Sequence, residues 1–362
     1  MIRLLVVDDS PLMRRLLGDI FATDPEFELA FARDGLEALS LLQGFAPHVI
    51  TLDVNMPGLN GLETLDRIML ERPCPVVMFS ALTTDGADAA LEALELGAVE
   101  VLAKPTGAVS LKMDALAGDL IATVRAASTA RVKKTHRLAE RIRLRAQTAR
   151  LAHPPARRPV GKARSPATGA VEGLVVVGSS TGGPPALEAL LTELPGDFPW
   201  PIVVAQHMPA SFTGSLARRL DGLCALTVVE ADRATTLEAG TVYIGRGDAD
   251  MILSRRAGAI VALPAPSSDR YRWHPSVDRL MHSAMEVLPA TRLAGVLMTG
   301  MGNDGAAAMT DLRAAGGWTV AESEATAVVW GMPGELVKAG GATVVADLPD
   351  IGGHLLTAVV GA

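Results

Sequence analysis

The chain has 362 residues, of which 49% are apolar, and a formal net charge of −7 at pH 7. This composition predicts two or three domains with conventional buried cores and argues against a mostly disordered chain. Its two cysteines, Cys74 and Cys224, are too far apart in the sequence to indicate a disulfide framework or a zinc site. No run approaches the roughly 18 uncharged apolar residues of a membrane span, and the first residues do not resemble a secretory signal. We therefore expect a cytoplasmic protein without membrane insertion.

In the first part of the chain, three apolar runs end in charged side chains. These are Asp8 and Asp9 after residues 2–7, Asp53 after residues 49–52, and Lys104 after residues 99–103. The alternation of such runs with helical stretches predicts an α/β fold with a doubly wound parallel sheet, which gathers the ends of its strands at one edge. Carboxylates gathered there repel one another unless a cation lies among them, and hard oxygen ligands suit Mg²⁺. Beside a metal and an ammonium group, Asp53 is suited to accept a phosphoryl group.

Taken singly, these residues indicate little, because one Asp after a strand is most often a helix N-cap. In combination with the Asn, Ser and Lys-Pro that follow them, they resemble the receiver domain of bacterial response regulators over residues 1–127. The resemblance implies a flavodoxin-like receiver in which Asp53 accepts a phosphoryl group from a histidine kinase. The implied Mg²⁺ ligands are Asp8, Asp9, Asp53 and Asn55, and the implied phosphate contacts are Ser80 and Lys104. At a position that is often an aromatic switch residue in receivers, this chain has Val101.

Charge separates the middle of the chain from its two ends. Residues 1–105 hold 7 Lys and Arg against 17 Asp and Glu, residues 106–170 hold 14 against 3, and residues 171–362 hold 12 against 20. The helical pattern fades inside the basic stretch, where Arg, Lys and Pro predict an interdomain linker over residues 128–172. Such a run is also typical of nucleic-acid binding, but it contains no aromatic residue that could stack on a base. We expect a tether and no nucleic-acid partner.

Beyond the linker, a glycine-rich turn follows an apolar strand. Residues 174–177 predict a buried strand, and the sequence Gly-Ser-Ser-Thr-Gly-Gly at 178–183 turns it into a helix. A serine on such a turn can cap the helix, help to bind a phosphate or act as a nucleophile. The turn lacks the lysine of a P-loop and the spacing of a dinucleotide site, which weakens the phosphate alternative.

Two further strand ends carry the groups that a serine nucleophile needs. The predicted strand 202–205 leads to His207, and the predicted strand 294–298 leads to a loop that contains Asp304. If all three strands are parallel neighbours, Ser180, His207 and Asp304 meet at one edge as hydroxyl, base and carboxylate. Their order along the chain differs from that of the α/β-hydrolases, so we expect a different fold.

Five motifs span most of residues 174–360. They are Gly-Ser-Ser-Thr-Gly-Gly at 178, Gln-His-Met-Pro at 206, His-Pro-Ser-Val-Asp at 274, Met-Thr-Gly-Met-Gly-Asn-Asp-Gly at 298 and Val-Val-Trp-Gly-Met-Pro at 328. Together they resemble the protein-glutamate methylesterases of bacterial chemotaxis, in which a receiver precedes the catalytic domain. The resemblance implies a Rossmann-like three-layer domain over residues 173–362 that needs no cofactor for its esterase reaction. The implied roles are Ser180 as nucleophile, His207 as base, Asp304 as the group that orients the base, and the Met301 backbone N–H in the oxyanion hole.

We therefore predict a phosphorylation-activated serine esterase that acts as a monomer. By the resemblance, its substrates are glutamyl methyl esters of chemoreceptors, and it also deamidates receptor glutamines during sensory adaptation. Two alternatives stay open: an esterase of a sensory pathway other than motility, and a non-enzymatic response regulator whose output domain binds a partner. Among other residues, His274 and His282 are weaker candidates for the base, and Asp248 and Asp250 are predicted to serve a turn.

Overall fold

The structure is a computed structural model that describes residues 1–80, 84–104, 109–132 and 171–360. The chain divides into two compact units, Met1–Val160 and Gly161–Ala362. Most of the predicted linker lies outside the described residues, so its bounds stay a prediction. Among the helices of the described ranges, none is both long enough and apolar enough to cross a bilayer.

The first unit is a parallel sheet with helices as its crossovers. Its described strands are β1 (Ile2–Val7), β2 (Phe27–Ala32), β3 (Val49–Asp53), β4 (Val76–Ser80) and β5 (Glu100–Ala103). Its described helices are α1 (Pro11–Phe21), α2 (Gly35–Gly44), α3 (Gly61–Glu71), α4 (Thr84–Leu96) and α5 (Val109–Ser128). The strand order is β2-β1-β3-β4-β5, all parallel. The order reverses between β1 and β3, where doubly wound sheets open a crevice for ligands.

Local capping signals set where three of these helices begin. Ser10, Asp34 and Asn60 each accept a hydrogen bond from the backbone N–H three residues further on. Asn60 and Glu63 form a reciprocal capping box. The strands between these helices are apolar, and every residue of β3 and β4 is buried. The sheet is therefore the core of the unit, and its polar side chains collect at the strand ends.

The second unit is built on a larger parallel sheet. Its strands are β6 (Leu174–Ser179), β7 (Ile202–Gln206), β8 (Thr227–Ala231), β10 (Thr241–Gly245), β13 (Leu293–Leu297), β14 (Trp318–Glu322) and β15 (Val344–Ala346). The strand order is β15-β14-β13-β6-β7-β10-β8, all parallel. Because β6 pairs with both β7 and β13, the three strands that carry the candidate site are parallel neighbours, as the prediction required.

Helices accompany this sheet. They are α6 (Gly183–Glu193), α7 (Ala210–Leu223), α8 (Val277–Val287), α9 (Ala306–Ala314), α10 (Met332–Lys338) and α11 (Leu348–Val360), with a 3₁₀ turn at Ala290–Arg292. Alternation of parallel strands and helices in both units confirms the predicted α/β class.

A small antiparallel sheet, absent from the sequence-based prediction, interrupts this alternation. It contains β9 (Thr235–Thr236), β11 (Asp250–Arg256) and β12 (Ala259–Ala265), in the order β11-β12-β9. The prediction that Asp248 and Asp250 serve a turn holds only for Asp248, which is exposed and has a φ of 58°. Asp250 begins β11 and is 1% exposed, because α8 and its preceding residues pack over this strand and supply hydrogen-bond donors.

Candidate functional site

The crevice of the first unit holds two buried carboxylates bridged by one ammonium group. Asp8 follows β1 and Asp53 ends β3, and both are nearly inaccessible. Lys104, directly after β5, places Nζ 2.7 Å from Asp53 Oδ2 and 2.9 Å from Asp8 Oδ2. Asp9 is exposed beside them, and oxygen atoms of the three aspartates all lie within 4.8 Å of one another. These oxygens are of the kind and spacing that a small divalent cation requires.

Burial and charge act in opposite directions on this cluster. Burial raises the pKa of Asp53, and the hydrogen bond and positive charge of Lys104 offset only part of that rise. Burial lowers the pKa of Lys104, but its hydrogen bonds to Asp53 and Asp8 outweigh burial and raise that pKa overall. Lys104 therefore stays charged at neutral pH, and the cluster keeps a fixed positive charge beside Asp53.

The remaining residues predicted for this crevice lie around Asp53. The backbone N–H of Asn55 donates to Asp53 Oδ1 at 3.2 Å. Ser80 ends β4 and is fully buried, and its Oγ donates to the Gly86 carbonyl at 2.9 Å. Val101 is buried in β5, so an aliphatic side chain fills the position where an aromatic ring is common. The predicted set is thus assembled around one carboxylate, with the Ser80 hydroxyl bonded elsewhere.

In the second unit, backbone hydrogen bonds join the ends of β6, β7 and β13. The Ser180 N–H donates to the Thr299 carbonyl at 2.9 Å, and the His207 N–H donates to the Ser179 carbonyl at 3.0 Å. Gln206 reinforces this junction, because its Nε2 donates to the carbonyls of Ser180 and His207, both at 3.0 Å. The turn that carries the serines is therefore fixed against the strand end that carries the histidine.

The two adjacent serines of this turn differ in their environments. Ser179 is fully buried, and its Oγ donates to Gln206 Oε1 at 2.7 Å. Ser180 retains 8% exposure, and its hydroxyl has no hydrogen-bond partner within the part of the chain that the structure describes. The N-cap of α6 is Gly182, so neither serine caps this helix through its side chain. Ser180 is the serine with a hydroxyl available for chemistry.

His207 and Asp304 form a buried pair. His207 Nε2 lies 2.8 Å from Asp304 Oδ2, and their side chains are 8% and 3% exposed. The other ring nitrogen, Nδ1, is buried and has no hydrogen-bond partner among the described residues. An Nε2–H that donates to the carboxylate leaves a lone pair on Nδ1, so the ring can accept a proton there.

The start of α8 surrounds the Asp304 carboxylate with donors. The Ser276 Oγ and Asp278 N–H donate to Oδ1 at 3.0 and 3.1 Å, and the Val277 N–H donates to Oδ2 at 2.7 Å. Burial alone raises the pKa of Asp304, but the hydrogen bonds from His207 and from the helix N–H groups outweigh it and lower that pKa overall. Asp304 therefore stays ionised. Sequence reasoning identified Asp304 but not these donors, whose local signal is only that a serine precedes a helix.

Trp273 is a further residue at this site that sequence reasoning missed. Its ring stacks on that of His207, with centroids 5.8 Å apart and planes 3° apart. A Cβ atom added to Gly302 would lie 2.5 Å from the indole, so the ring also covers the loop after β13. Gly302 has a φ of +86°, a left-handed conformation that favours glycine. Trp273 is half-buried, and it belongs to the segment before α8 and not to any of the three strand ends predicted to form the site.

Met301, predicted to donate to an oxyanion, lies in a loop whose backbone is otherwise well bonded. Gly300 donates its N–H to the Val329 carbonyl at 3.0 Å and accepts from Met332 at 2.9 Å. Within the described residues, the Met301 N–H makes no hydrogen bond. A donor held on a fixed loop without a partner is available to a ligand.

The alternative histidines pair with other aspartates. His274 Nδ1 lies 2.9 Å from Asp250 Oδ1, and His282 Nε2 lies 3.2 Å from Asp311 Oδ2 in an exposed pair. Neither of these contacts involves the glycine-rich turn. The geometry therefore favours His207 as the histidine that serves Ser180.

Both units match known families. Residues 4–115 match the family described as response regulator receiver domain, and residues 175–355 match the family described as CheB methylesterase. A Rhodopseudomonas palustris protein, protein-glutamate methylesterase/protein-glutamine glutaminase 2, is 56% identical over 97% of this chain and 96% of its own. A Rhodospirillum rubrum protein, protein-glutamate methylesterase/protein-glutamine glutaminase 3, is 48% identical over 98% of this chain and 95% of its own length. The crystal structure of the Thermotoga maritima CheB methylesterase catalytic domain is 38% identical and covers 51% of this chain and 97% of that domain, with a TM-score of 0.49.

Proposed function

Because the chain belongs to the CheB methylesterase family and has a receiver domain ahead of the catalytic domain, we propose that it is a phosphorylation-activated serine esterase. Its proposed substrates are glutamyl γ-methyl esters of chemoreceptors, which it demethylates during sensory adaptation. One observation carries the mechanism: His207 is bonded to Asp304 through Nε2, and its Nδ1, at the strand end beside Ser180, has no hydrogen-bond partner among the described residues.

The first chemical step is acyl transfer to Ser180. As Oγ attacks the ester carbonyl carbon, its proton moves to Nδ1 of His207, which becomes an imidazolium. Asp304 holds the ring through Nε2–H and stabilises the new positive charge. The imidazolium then gives its proton to the methoxy oxygen, methanol leaves, and the glutamyl γ-carbonyl stays esterified to Ser180.

Water completes the cycle by the same path. His207 takes a proton from water, the resulting hydroxide attacks the acyl-enzyme, and Ser180 recovers its proton when the glutamate is released. For a receptor glutamine, the leaving group of the first step is ammonia. This shared mechanism supports the further proposal of a protein-glutamine glutaminase activity, the second activity in the names of the relatives.

We propose that the backbone N–H of Met301 donates a hydrogen bond to the oxyanion of the tetrahedral intermediate. The loop is fixed by the hydrogen bonds of Gly300, so this donor needs no rearrangement before the charge develops. Removal of one such donor typically costs about 2.7–4 kcal/mol of transition-state stabilisation, which makes the placement of this loop a major contribution to the rate.

In the receiver, we propose that Asp53 accepts a phosphoryl group from a histidine kinase. Asp8, Asp9, Asp53 and the backbone of Asn55 would hold Mg²⁺, and the spacing of the carboxylate oxygens supports this assignment. When bound, the metal would neutralise charge on the phosphoryl oxygens.

Two further side chains are assigned to the phosphoryl group. Lys104 supplies a fixed charge beside Asp53, and the Ser80 hydroxyl contacts the phosphoryl group after it leaves the Gly86 carbonyl. Movement of Ser80 then links phosphorylation to the segment that contains Gly86.

Paired serine substitutions test the esterase. Ser180→Ala should abolish methanol release from a methylated receptor while the protein stays folded. Ser179→Ala should stay active, because that hydroxyl bonds to Gln206 and takes no part in the proposed acyl transfer; leaving the buried Gln206 Oε1 without this donor costs about 1–3 kcal/mol of stability. An inactive Ser179→Ala beside an active Ser180→Ala would show that the nucleophile is misassigned. Unchanged activity in both variants would refute the serine mechanism.

The substrate proposal needs its own experiment. The protein should release label from radiomethylated membranes of its own organism, and the protein that loses label should be a chemoreceptor. Loss of label from another methylated protein would assign the esterase to a different sensory pathway.

A further inference from the structure

Asp250 is a buried carboxylate that the proposed mechanism does not use. Its side chain is 0% exposed at the start of β11. It accepts hydrogen bonds from the Ser276 N–H at 2.9 Å, from His274 Nδ1 at 2.9 Å and from Arg279 Nη1. A carboxylate is expensive to bury unless donors and a cation surround it, and Asp250 has both. It therefore fixes the residues before α8 to the antiparallel sheet.

The residues fixed in this way form a short stretch, residues 273–276, which we call the anchoring segment. At its first residue, the Trp273 ring stacks on His207 with the planes 3° apart. The same ring lies against Gly302, the residue after Met301. One end of the anchoring segment thus contacts both the proposed base and the proposed oxyanion loop.

The other end of the anchoring segment binds Asp304, the carboxylate that pairs with His207. Ser276 is the N-cap of α8, and its Oγ donates to Asp304 Oδ1 at 3.0 Å. The next backbone N–H, that of Val277, donates to Asp304 Oδ2 at 2.7 Å. Ser276 therefore binds two carboxylates at once, with its backbone N–H on one and its hydroxyl on the other.

We propose that Asp250 is a positioning residue of the esterase site, since it fixes the anchoring segment that orients both His207 and Asp304. This inference rests on the proposed function. Asp250 touches neither His207 nor Asp304 through any described hydrogen bond, so its effect passes through Trp273 and Ser276. Fine positioning of this kind matters because a misplacement of about 1 Å can reduce a rate by about 10²-fold.

Asp250→Asn is the primary test. The amide keeps the size of the side chain but cannot neutralise Arg279 or accept from all three donors. We expect kcat for the methyl ester to fall by about tenfold or more with KM within about twofold of wild type, because orientation of the base is lost and substrate contacts are not. Wild-type kcat in a folded Asp250→Asn protein would overturn the proposal.

Asp311→Asn is the matched control. It disrupts another His–Asp pair, which joins α9 to α8 through His282, is exposed, and makes no hydrogen bond to the anchoring segment within the described residues. Its kcat and KM should equal those of the wild type. An equal fall of kcat in Asp311→Asn would overturn the proposal, because the loss of any side-chain contact of α8 would then be enough to lower kcat.

A double-mutant cycle tests the route through Trp273. Trp273→Leu should lower kcat in the wild-type background, and Trp273→Phe, which keeps an aromatic ring, should lower it less. In the Asp250→Asn background, Trp273→Leu should reduce kcat by a smaller factor than in the wild type. Independent, additive losses would overturn the proposed route. If thermal unfolding shows that Asp250→Asn does not fold, Trp273→Leu decides alone, and wild-type kcat in that variant overturns the proposal.

A readout without turnover separates this inference from the proposed function. The downfield proton resonance of His207 Nε2–H, identified by its loss in His207→Gln, should shift or broaden in Asp250→Asn and stay unchanged in Asp311→Asn. An unchanged resonance in Asp250→Asn overturns the inference whether or not the protein is an esterase. Absence of Ser180-dependent methanol release in the wild type refutes only the proposed function.

Discussion

Asp304 shows how one residue is kept ready for its proposed role. Its two oxygens receive the His207 ring, the Ser276 hydroxyl and two backbone N–H groups. Hydrogen bonds to a charged group are worth roughly 1.5–3 kcal/mol each, which is enough to offset the cost of burying the carboxylate. Because the donors come from a helix terminus, the acceptor cannot turn away from the histidine without leaving them unpaired.

Asp304→Asn should fold but lose several orders of magnitude in kcat. An asparagine amide offers one acceptor oxygen and one NH₂ group, so it cannot accept all four donors or hold the Nε2–H form of His207. The equivalent change in a serine protease costs about 10⁴ in kcat. Steady-state methanol release and a thermal unfolding curve would check this. Near-normal kcat would show that another group orients the base.

The lowered pKa of Asp304 predicts a pH dependence of stability. Because the folded-state pKa lies below the unfolded one, the ionised carboxylate stabilises the fold above the ordinary aspartate range, about pH 4. That contribution is lost as the pH falls through the folded-state value. The difference in unfolding free energy between wild type and Asp304→Asn should therefore shrink below about pH 4. A difference that stays constant across this range would contradict the assignment.

At the scale of elements, the start of α6 approaches the end of β7 unusually closely. A Cβ atom on Gly183 would lie 1.9 Å from Gln206 Oε1, which also accepts the Ser179 hydroxyl. Gln206 is fully buried and joins the carbonyls of Ser180 and His207. A glycine at the first position of the helix is therefore a condition for the contact between the serine turn and the histidine strand.

Gly183→Ala should destabilise the second unit and lower esterase activity together. The added methyl group displaces Gln206 and leaves buried polar groups unpaired, which costs about 1–3 kcal/mol for each group. Gly353→Ala is the matched control, since among the described residues its added Cβ in α11 meets no atom within 4 Å apart from its chain neighbours and its own helix backbone. The control should gain about 0.5–1 kcal/mol from helix propensity and keep its activity. Chemical denaturation would measure both, and equal effects at the two sites would refute the argument.

At the scale of the whole molecule, the two proposed chemistries lie in separate compact units. Asp53, Lys104 and their neighbours belong to the first sheet, and the proposed esterase residues belong to the second. Phosphorylation would replace the single negative charge of the Asp53 carboxylate by an acyl phosphate that carries about −1.5 to −2 charges, a net gain of about one charge or less at this strand end. To shift the fraction of active molecules from 1% to 99%, a modification must favour the active state over the inactive one by about 5.5 kcal/mol. One phosphoryl group is therefore expected to activate the enzyme only partially.

Asp53→Asn should leave basal methanol release intact and abolish its response to acetyl phosphate and Mg²⁺. The substitution removes the proposed phosphoryl acceptor, which is also a proposed metal ligand, but does not alter the core of the second unit. Asp34→Asn is a matched control, because asparagine caps α2 as well as aspartate does. The control should respond like the wild type. Equal stimulation of Asp53→Asn and wild type would show that Asp53 is not the switch.

Much of this architecture follows from local patterns. Apolar runs that stop at Asp8, Asp53, His207 and similar residues identify strand ends, because a buried strand tolerates polar side chains only where it leaves the core. The alternation of strands and helices then implies parallel sheets, and parallel sheets place all such ends at one edge. The α/β class was therefore predictable from the sequence by itself, and local patterns also selected the strand-end candidates such as Asp53, His207 and Asp304, whereas Asn55, Ser80 and Met301 were candidates only through the family resemblance.

The tertiary structure decided what local patterns left open. It buries Ser179 against Gln206 and gives the Ser180 hydroxyl no partner within the described ranges, and it bonds His207 to Asp304 through Nε2. It also adds the antiparallel sheet that carries Asp250. The hydrogen-bond partners of the two serines' turn and of His207 depend on contacts between residues 26 to 97 positions apart in the chain, such as Gln206 with Ser180 and Asp304 with His207. A short sequence pattern determines which residues end a strand, whereas burial and hydrogen-bond partners are set by the distant segments that pack around it.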